Sequence, residues 1–300
     1  MAFDAFALVL ALLALGKASA RLGLFPAGAA EALNRFVLYV CLPAAVLRHA
    51  PRLHFEPGLL GLIAIPWLIL LASAGAVVVV ARLLHLRADE RAVLLLCVPM
   101  GNTSFLGYPL VEALLGEPAL PYAVIYDQFG TFIILSTWGL WVLARYGGDS
   151  PPTLATIAGR VVRFPPFLAL VLALTLMPES PPAAVEAVLR RLADSLLPVV
   201  AFAVGLEIKL RLPRRELAPL GAGLAMKLAL MPAVAYGLVR LLGLDGLPAQ
   251  AAILETAMPP MITASALAIS HRLAPGLAAA LAGYGVVLAL VTVPLWRLLI

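Results

Sequence analysis

Asn102, Asp127, Lys227 and Glu255 carry the chemistry available in this chain, because each stands in a segment otherwise built from apolar side chains. A charge at the centre of a bilayer costs at least about 2.5–3.5 kcal/mol on insertion scales, so each charged residue there needs a role. Lys227 lies roughly 15 Å along its apolar run, near the middle of a span. Its ammonium either holds a substrate carboxylate or pairs with a protein carboxylate for packing. Glu255 precedes Pro259 by one helical turn and is suited to coupling or gating, or to partnering Lys227 or the broken backbone. Asp127 is the other candidate coupling or gating group. The Asn102 amide both donates and accepts, so it can read a carboxylate or satisfy freed carbonyls. Tyr108 and Tyr126 either line a cavity or anchor at the interface. Thr103, Ser104, Thr263 and Ser265 are candidate caps of half-helices, or bond to their own backbone.

These residues are placed by two interruptions. Pro99-Met100-Gly101-Asn102-Thr103-Ser104-Phe105-Leu106-Gly107-Tyr108-Pro109 lies inside an apolar run. Proline lacks an N–H and clashes with the preceding turn, while glycine lowers the cost of leaving helical geometry. Backbone freed at membrane depth is tolerated only where it is buried in protein or lines a cavity. A second interruption, Ala257-Met258-Pro259-Pro260-Met261-Ile262-Thr263-Ala264-Ser265, has the same character. The predicted break residues are Pro99, Gly101, Pro259 and Pro260.

The remainder of the chain is apolar enough to need lipid around it. Hydrophobic residues make up 63% and charged residues 12%, with a mean hydropathy of +1.03; soluble domains carry about 25% charged residues. The net charge of +5 does not indicate nucleic-acid binding, since the basic residues are dispersed between apolar runs. Ten runs are long enough to cross a bilayer: about 3–20, 31–50, 58–84, 91–116, 119–145, 162–178, 184–208, 217–243, 248–271 and 275–298. The first reads as a retained span, with Asp4 ahead of it instead of a basic segment. Cys41 and Cys97 read as small buried hydrophobes. His49, His54, His85 and His271 fall near loops without metal-ligand spacing, so no metal and no cofactor are expected. Glu112 and Asp194 are expected at the interface.

The two halves share an order of features. Leu42-Pro43-Ala44-Ala45 has a counterpart in Leu197-Pro198-Val199-Val200, Pro66 in Pro232, and the first break in the second. Five spans per half is an odd number, so the halves must be inverted. The predicted fold is an all-α membrane protein of ten transmembrane helices in two inverted five-helix repeats, 1–148 and 162–300, joined by a connecting loop at 149–161. Paired breaks in inverted halves point to a secondary transporter's binding site.

Asn102-Thr103-Ser104-Phe105-Leu106-Gly107-Tyr108-Pro109-Leu110-Val111 resembles the Asn-Thr stretch of the auxin efflux carrier family, of the bile acid/auxin/arsenite-type transporter superfamily. Ala257-Met258-Pro259 with Ala264 to Ser270 resembles that family's second broken helix, and Tyr126-Asp127 after Ala123-Val124-Ile125 resembles its bacterial branch. The chain departs from the plant pattern in carrying Gly101, not proline, before Asn102. The resemblance implies that helices four and nine cross at their breaks, Pro99 or Gly101 to Asn102 in one and Pro259 in the other. It also implies a scaffold unit and a transport unit that move against each other. Taking the breaks together with the polar residues at depth, the expected substrate-binding residues are Gly101, Asn102, Thr103, Tyr126, Lys227 and Pro259. The substrate would be a small organic anion, such as malate, malonate or an auxin-like acid.

A secondary active or facilitative transporter working by alternating access is therefore expected, with a channel or receptor using the same site as the alternative. The chain has no Gly-x-Ser-x-Gly, no His-Glu-x-x-His and no phosphate-cradling loop, so neither enzyme chemistry nor ATP use is expected. H+ or Na+ is the candidate coupling ion, at Glu255 or Asp127, and a homodimer is left open. The expected location is the cell (inner) membrane. Fourteen of the 21 basic residues fall on one side when both termini are placed outside, which the positive-inside rule favours. A cysteine tag beyond Ile300 should react with an impermeant reagent in intact cells; reaction only after permeabilisation would reverse the topology.

Overall fold

Prolines mark several of the places where the apolar runs lose regularity, although Pro66 and Pro294 sit inside continuous helices. The computed structural model describes residues 2–26, 28–53, 58–148, 153–207 and 214–300. It contains α1 (Ala2–Arg21), α2 (Ala29–Arg52), α3 (Gly58–Leu83) and α4 (Ala88–Cys97). After the first break come α5 (Thr103–Leu115) and α6 (120–147). Next are α7 (Leu154–Val161), α8 (Pro165–Thr175), α9 (Ala183–Asp194) and α10 (Leu196–Glu207). Then follow α11 (Leu217–Leu241) and α12 (Gly246–Ala257), and beyond the second break α13 (Ile262–Ser270) and α14 (Pro275–Leu299).

Of five wide π-type turns among the described residues, three end two residues before a proline: Val37–Cys41 before Pro43, Thr103–Gly107 before Pro109, and Met226–Leu230 before Pro232, whereas Asp127–Thr131 and Leu135–Gly139 in α6 precede none. A proline inside a helix removes a donor and clashes with the carbonyl four residues back. Widening the preceding turn relieves the clash without ending the helix. Three of the carbonyls that a proline leaves without a helical donor are met from elsewhere in the chain. Leu95, four residues before Pro99, accepts from Trp138 Nε1 at 2.9 Å. Leu228, four before Pro232, accepts from Trp296 Nε1 at 2.9 Å. Leu114, four before Pro118, accepts from Arg297 Nε at 3.1 Å.

Helices α3, α8 and α14 are apolar nearly all round, so they pack inward and still present large side chains outward. Leu62, Ile65, Ile69, Leu94, Leu96 and Leu254 are fully enclosed, while Leu60, Leu71 and Leu298 face out. Helix α1 lies along α10, α8 along α2, α3 against α11 and α12, and α14 against α12 and α13. Among the described residues four helices are individually long and apolar enough to cross a membrane, and the bent pair α7–α8 (66°) makes up to five. The others are shorter or interrupted. At one end Arg48 pairs with Glu186 at 2.9 Å and with Glu117 at 3.1 Å, tying α2 to α9 and to the turn before α6. Glu112 feels the charges of Arg48, Asp194 and Glu117 there.

The connector read as a loop is corrected in part: Leu154–Val161 is helical, with Thr153 Oγ1 accepting from the Thr156 N–H at 3.1 Å. That hydroxyl satisfies one of the free N–H groups of a helix start. Residues 149–152 of the connector lie outside the described residues, as do Lys209, Arg211 and His54.

Trp138→Phe keeps the ring and removes the donor to Leu95. It should destabilise the protein by about 1–2 kcal/mol, read by unfolding in detergent. Trp141→Phe, at a partly exposed neighbour, should change stability by less than about 0.5 kcal/mol. Equal effects of the two would sever the proline–carbonyl link.

Candidate functional site

Both breaks leave backbone groups that helices cannot satisfy, and they satisfy much of each other. Gly101 and Pro260 form an isolated antiparallel bridge. The Asn102 N–H donates to the Pro259 carbonyl at 2.8 Å, and the Met261 N–H to the Met100 carbonyl at 3.0 Å. Pro260 also deprives the Thr256 carbonyl of its helical donor, and Lys227 Nζ supplies the replacement at 3.0 Å. Gly101 makes this close approach feasible: a Cβ there would stand 3.1 Å from both Lys227 Nζ and the Glu255 carbonyl.

The hydroxyls after Asn102 do not cap the half-helix, contrary to one sequence reading. Asn102 itself makes no side-chain cap either. Thr103 Oγ1 donates to Asp127 Oδ1, and Ser104 Oγ donates to the same carboxylate at 2.9 and 3.0 Å. Tyr108 OH and Gln128 Nε2 add donors to Oδ2 at 2.9 and 2.7 Å. Asp127 is thus a buried carboxylate with four neutral donor side chains, which fastens α5 to α6. Tyr108 and Tyr126 are both buried, so neither is an interfacial anchor. Tyr126 OH is 2.9 Å from Thr256 Oγ1, on the turn that leads into the second break.

Glu255 is in the opposite condition. It is 0% exposed, and neither carboxylate oxygen has a hydrogen-bond partner. It forms no ion pair with Lys227, whose ammonium instead faces the Thr256 carbonyl. The two residues nevertheless lie close enough to feel each other's charge. A buried backbone carbonyl with no other donor competes directly for the ammonium. Gly107 provides room for the Glu255 side chain, because a Cβ there would meet both carboxylate oxygens, Oε1 at 2.7 Å. Asn102 Nδ2 and Gln128 Oε1 are also buried without partners. A polar group left unmade in a dry interior costs about 1–3 kcal/mol, so these groups beside the breaks are candidates to meet a ligand or a bound water.

The breaks bring together Gly101, Asn102, Thr103, Tyr126, Asp127, Lys227, Glu255, Pro259 and Pro260, while Pro99 acts one turn earlier through the freed Leu95 carbonyl. Sequence reasoning missed Thr256, Gln128 and Gly107; only Thr256 carried a signal, four residues before Pro260. Cys97 and Cys41 are buried beside hydroxyls, Cys97 Sγ at 3.4 Å from Ser265 Oγ and Cys41 Sγ at 3.2 Å from Ser195 Oγ. Among the described residues no group of three His, Cys, Asp or Glu could hold a metal ion. A cavity of about 520 Å³, lined by Lys17, Glu207, Ile262, Ser265, Ala266 and Gly283, reaches α13 one turn beyond the second break.

The profile of the membrane transport protein family matches residues 1–297. The chain is 28% identical over 296 residues to an uncharacterized transporter of Methanothermobacter thermautotrophicus, covering 97% of this chain and 96% of that protein. It is 25% identical over 284 residues to an uncharacterized transporter of Methanocaldococcus jannaschii, covering 90% and 89%. It is 28% identical over 265 residues to a proposed malonate transporter of Rhizobium meliloti, covering 83% and 80%.

Gly107 has helical dihedrals, φ −61° and ψ −56°, that any residue adopts. Gly107→Ala should therefore act only through its collision with Glu255, costing about 1–3 kcal/mol as overpacking. In a Glu255→Ala background the cost should fall below about 0.5 kcal/mol, measured as a double-mutant cycle of detergent unfolding. Equal cost in both backgrounds would remove Glu255 from contact with Gly107.

Proposed function

The chain belongs to the membrane transport protein family, and on that premise we propose that it carries a small organic anion across the membrane by alternating access at the paired breaks. The observation that carries this reading is the bridge between Gly101 and Pro260, with unfilled donors beside it. Asn102 Nδ2 has no partner, and Lys227 has given one of its three N–H groups to Thr256. The half-helices α5 and α13 also begin at the breaks, and helix starts favour carboxylates through free N–H groups. The likeness to a proposed malonate transporter favours a short dicarboxylate among the possible anions.

Charge balance adds a coupling ion to this reading. With Asp127, Lys227 and Glu255 all ionised, the centre holds one net negative charge, which repels an anion. A proton on Glu255 removes that charge, whereas Asp127 already has four donors arranged for a carboxylate. The anion and a proton are then carried together, with Glu255 as the coupling group and Asp127 as the brace that positions the first half-helix.

Ten spans in two inverted halves, with the fourth and ninth crossing, complete the proposal. Exchange of the halves turns the α1–α10 contact into the α8–α2 contact. It likewise relates α3–α12 to α11–α4, and α6–α12 to α14–α4. Contacts that come in such pairs support an internal two-fold. On this reading α4–α5 and α12–α13 are the crossing helices, the two halves are 1–148 and 162–300, and both termini lie outside in the cell membrane.

Counterflow in proteoliposomes tests the proposal. Labelled malonate outside should exchange with malonate inside, and Asn102→Ala should slow exchange at least about tenfold with folded protein retained. An inward proton gradient should speed net uptake by the wild type and leave Glu255→Gln unaffected. Ion conductance without counterflow would favour the channel alternative, and acceleration by Na+ alone would contradict the proton assignment.

A further inference from the structure

A groove of about 580 Å³ lies away from the breaks, where α7 passes beside α2 and α6 before bending into α8. Phe132 and Phe164 stack in it with ring centroids 3.8 Å apart and planes at 11°, and Leu38 and Leu135 extend the apolar lining. Arg160 and Arg163 also line the groove, both exposed. Neither has a hydrogen bond or an ion pair with another described residue. Helix α7 has no buried residue, although Leu154, Ile157 and Val161 fall on it together with Thr156 and Arg160. The groove therefore joins two uncompensated cations to an apolar floor.

We propose that this groove is a binding site for an anionic phospholipid, its phosphate held by Arg160 and Arg163 and an acyl chain laid over Leu38, Leu135 and Phe132. A guanidinium is planar and weakly hydrated, with a fork of donors that matches phosphate oxygens. A freely soluble phosphate would use the arginines but gain nothing from the stacked rings. A neutral lipid would use the floor but leave the charges unanswered. Only a ligand with both features fills the groove. The level in the membrane agrees. An exposed amphipathic helix with basic residues lies in the interface plane. Trp141, exposed further along α6, is the residue type found at that level. With the termini outside, this end faces the cytoplasmic leaflet, where anionic lipids attract basic segments.

The site has a functional consequence that rests on the transport reading. The groove joins α2 and α7–α8 to α6, and α6 carries Asp127. A lipid seated there would bridge α6 to α2 and α7–α8 and alter the rate of exchange. Binding itself does not depend on that reading.

Native mass spectrometry of the purified, delipidated full chain tests the site, with phosphatidylglycerol and phosphatidylcholine of matched acyl chains offered together. Wild type should retain phosphatidylglycerol preferentially. Removing both charges in Arg160→Gln/Arg163→Gln should weaken that preference by about 25-fold, at about fivefold per basic residue, while Arg82→Gln should leave it intact. Equal retention of the two lipids by wild type would overturn the site. So would an equal loss in Arg82→Gln, or displacement of the lipid by glycerol phosphate at similar concentration. A photoactivatable phosphatidylglycerol on unaltered protein gives a second readout that needs no variant. Crosslinks should concentrate on α2, α6 and α7; an even spread around the protein would contradict the proposal. Failure of malonate counterflow alongside retained lipid preference would sink the transport reading and leave the lipid site standing.

Discussion

A proline inside a membrane-embedded helix leaves a carbonyl that lipid cannot hydrate, and the organisation of this protein follows from how those carbonyls are answered. Lipid offers no donor, so each freed group must find one in the protein or face the cost of an unmade hydrogen bond. Trp138 serves Leu95, Trp296 serves Leu228, Arg297 serves Leu114 and Lys227 serves Thr256. All four contacts join residues distant in sequence. The prolines that interrupt the helices therefore also dictate which helices must touch.

At the two breaks this requirement draws opposite halves of the chain together. The Asn102 and Met261 N–H groups answer carbonyls of the facing break, and Lys227 is drawn to the Thr256 carbonyl instead of to Glu255. Glu255 is left enclosed with two bare oxygens, Asn102 with a bare amide nitrogen. Satisfying the backbone first thus leaves side-chain groups at the breaks unsatisfied, next to extended backbone. Asp127, caged by Thr103, Ser104, Tyr108 and Gln128, holds the second half of the broken helix while remaining outside this unfilled set.

Much of this was legible from the sequence, and the illegible parts have physical reasons. Two prolines and two glycines in an apolar run declare a break, and Asn102, Lys227 and Glu255 stand out because polar groups at depth are costly. The partner of Lys227 was not legible, since an ammonium suggests a carboxylate and a backbone carbonyl leaves no trace in residue type. The hydroxyls of Thr103 and Ser104 looked like helix caps by position, and only the packing of α6 against the break reveals Asp127 as their acceptor. Wide turns insert a single residue into a helix and leave no periodicity to read. Helix α7 hid in a connector because its eight residues follow Pro151-Pro152 and supply nothing to the buried core.

The central claim is that donors left over at the bridged breaks hold a carboxylate, and isothermal titration of malonate into purified protein tests it most directly. Asn102→Asp keeps the shape and the backbone bond to Pro259 while replacing two N–H donors with an acceptor. Binding of malonate should weaken at least about tenfold, the loss expected for a hydrogen bond to a charged group. Wild-type affinity in Asn102→Asp, with the protein folded, would contradict the account.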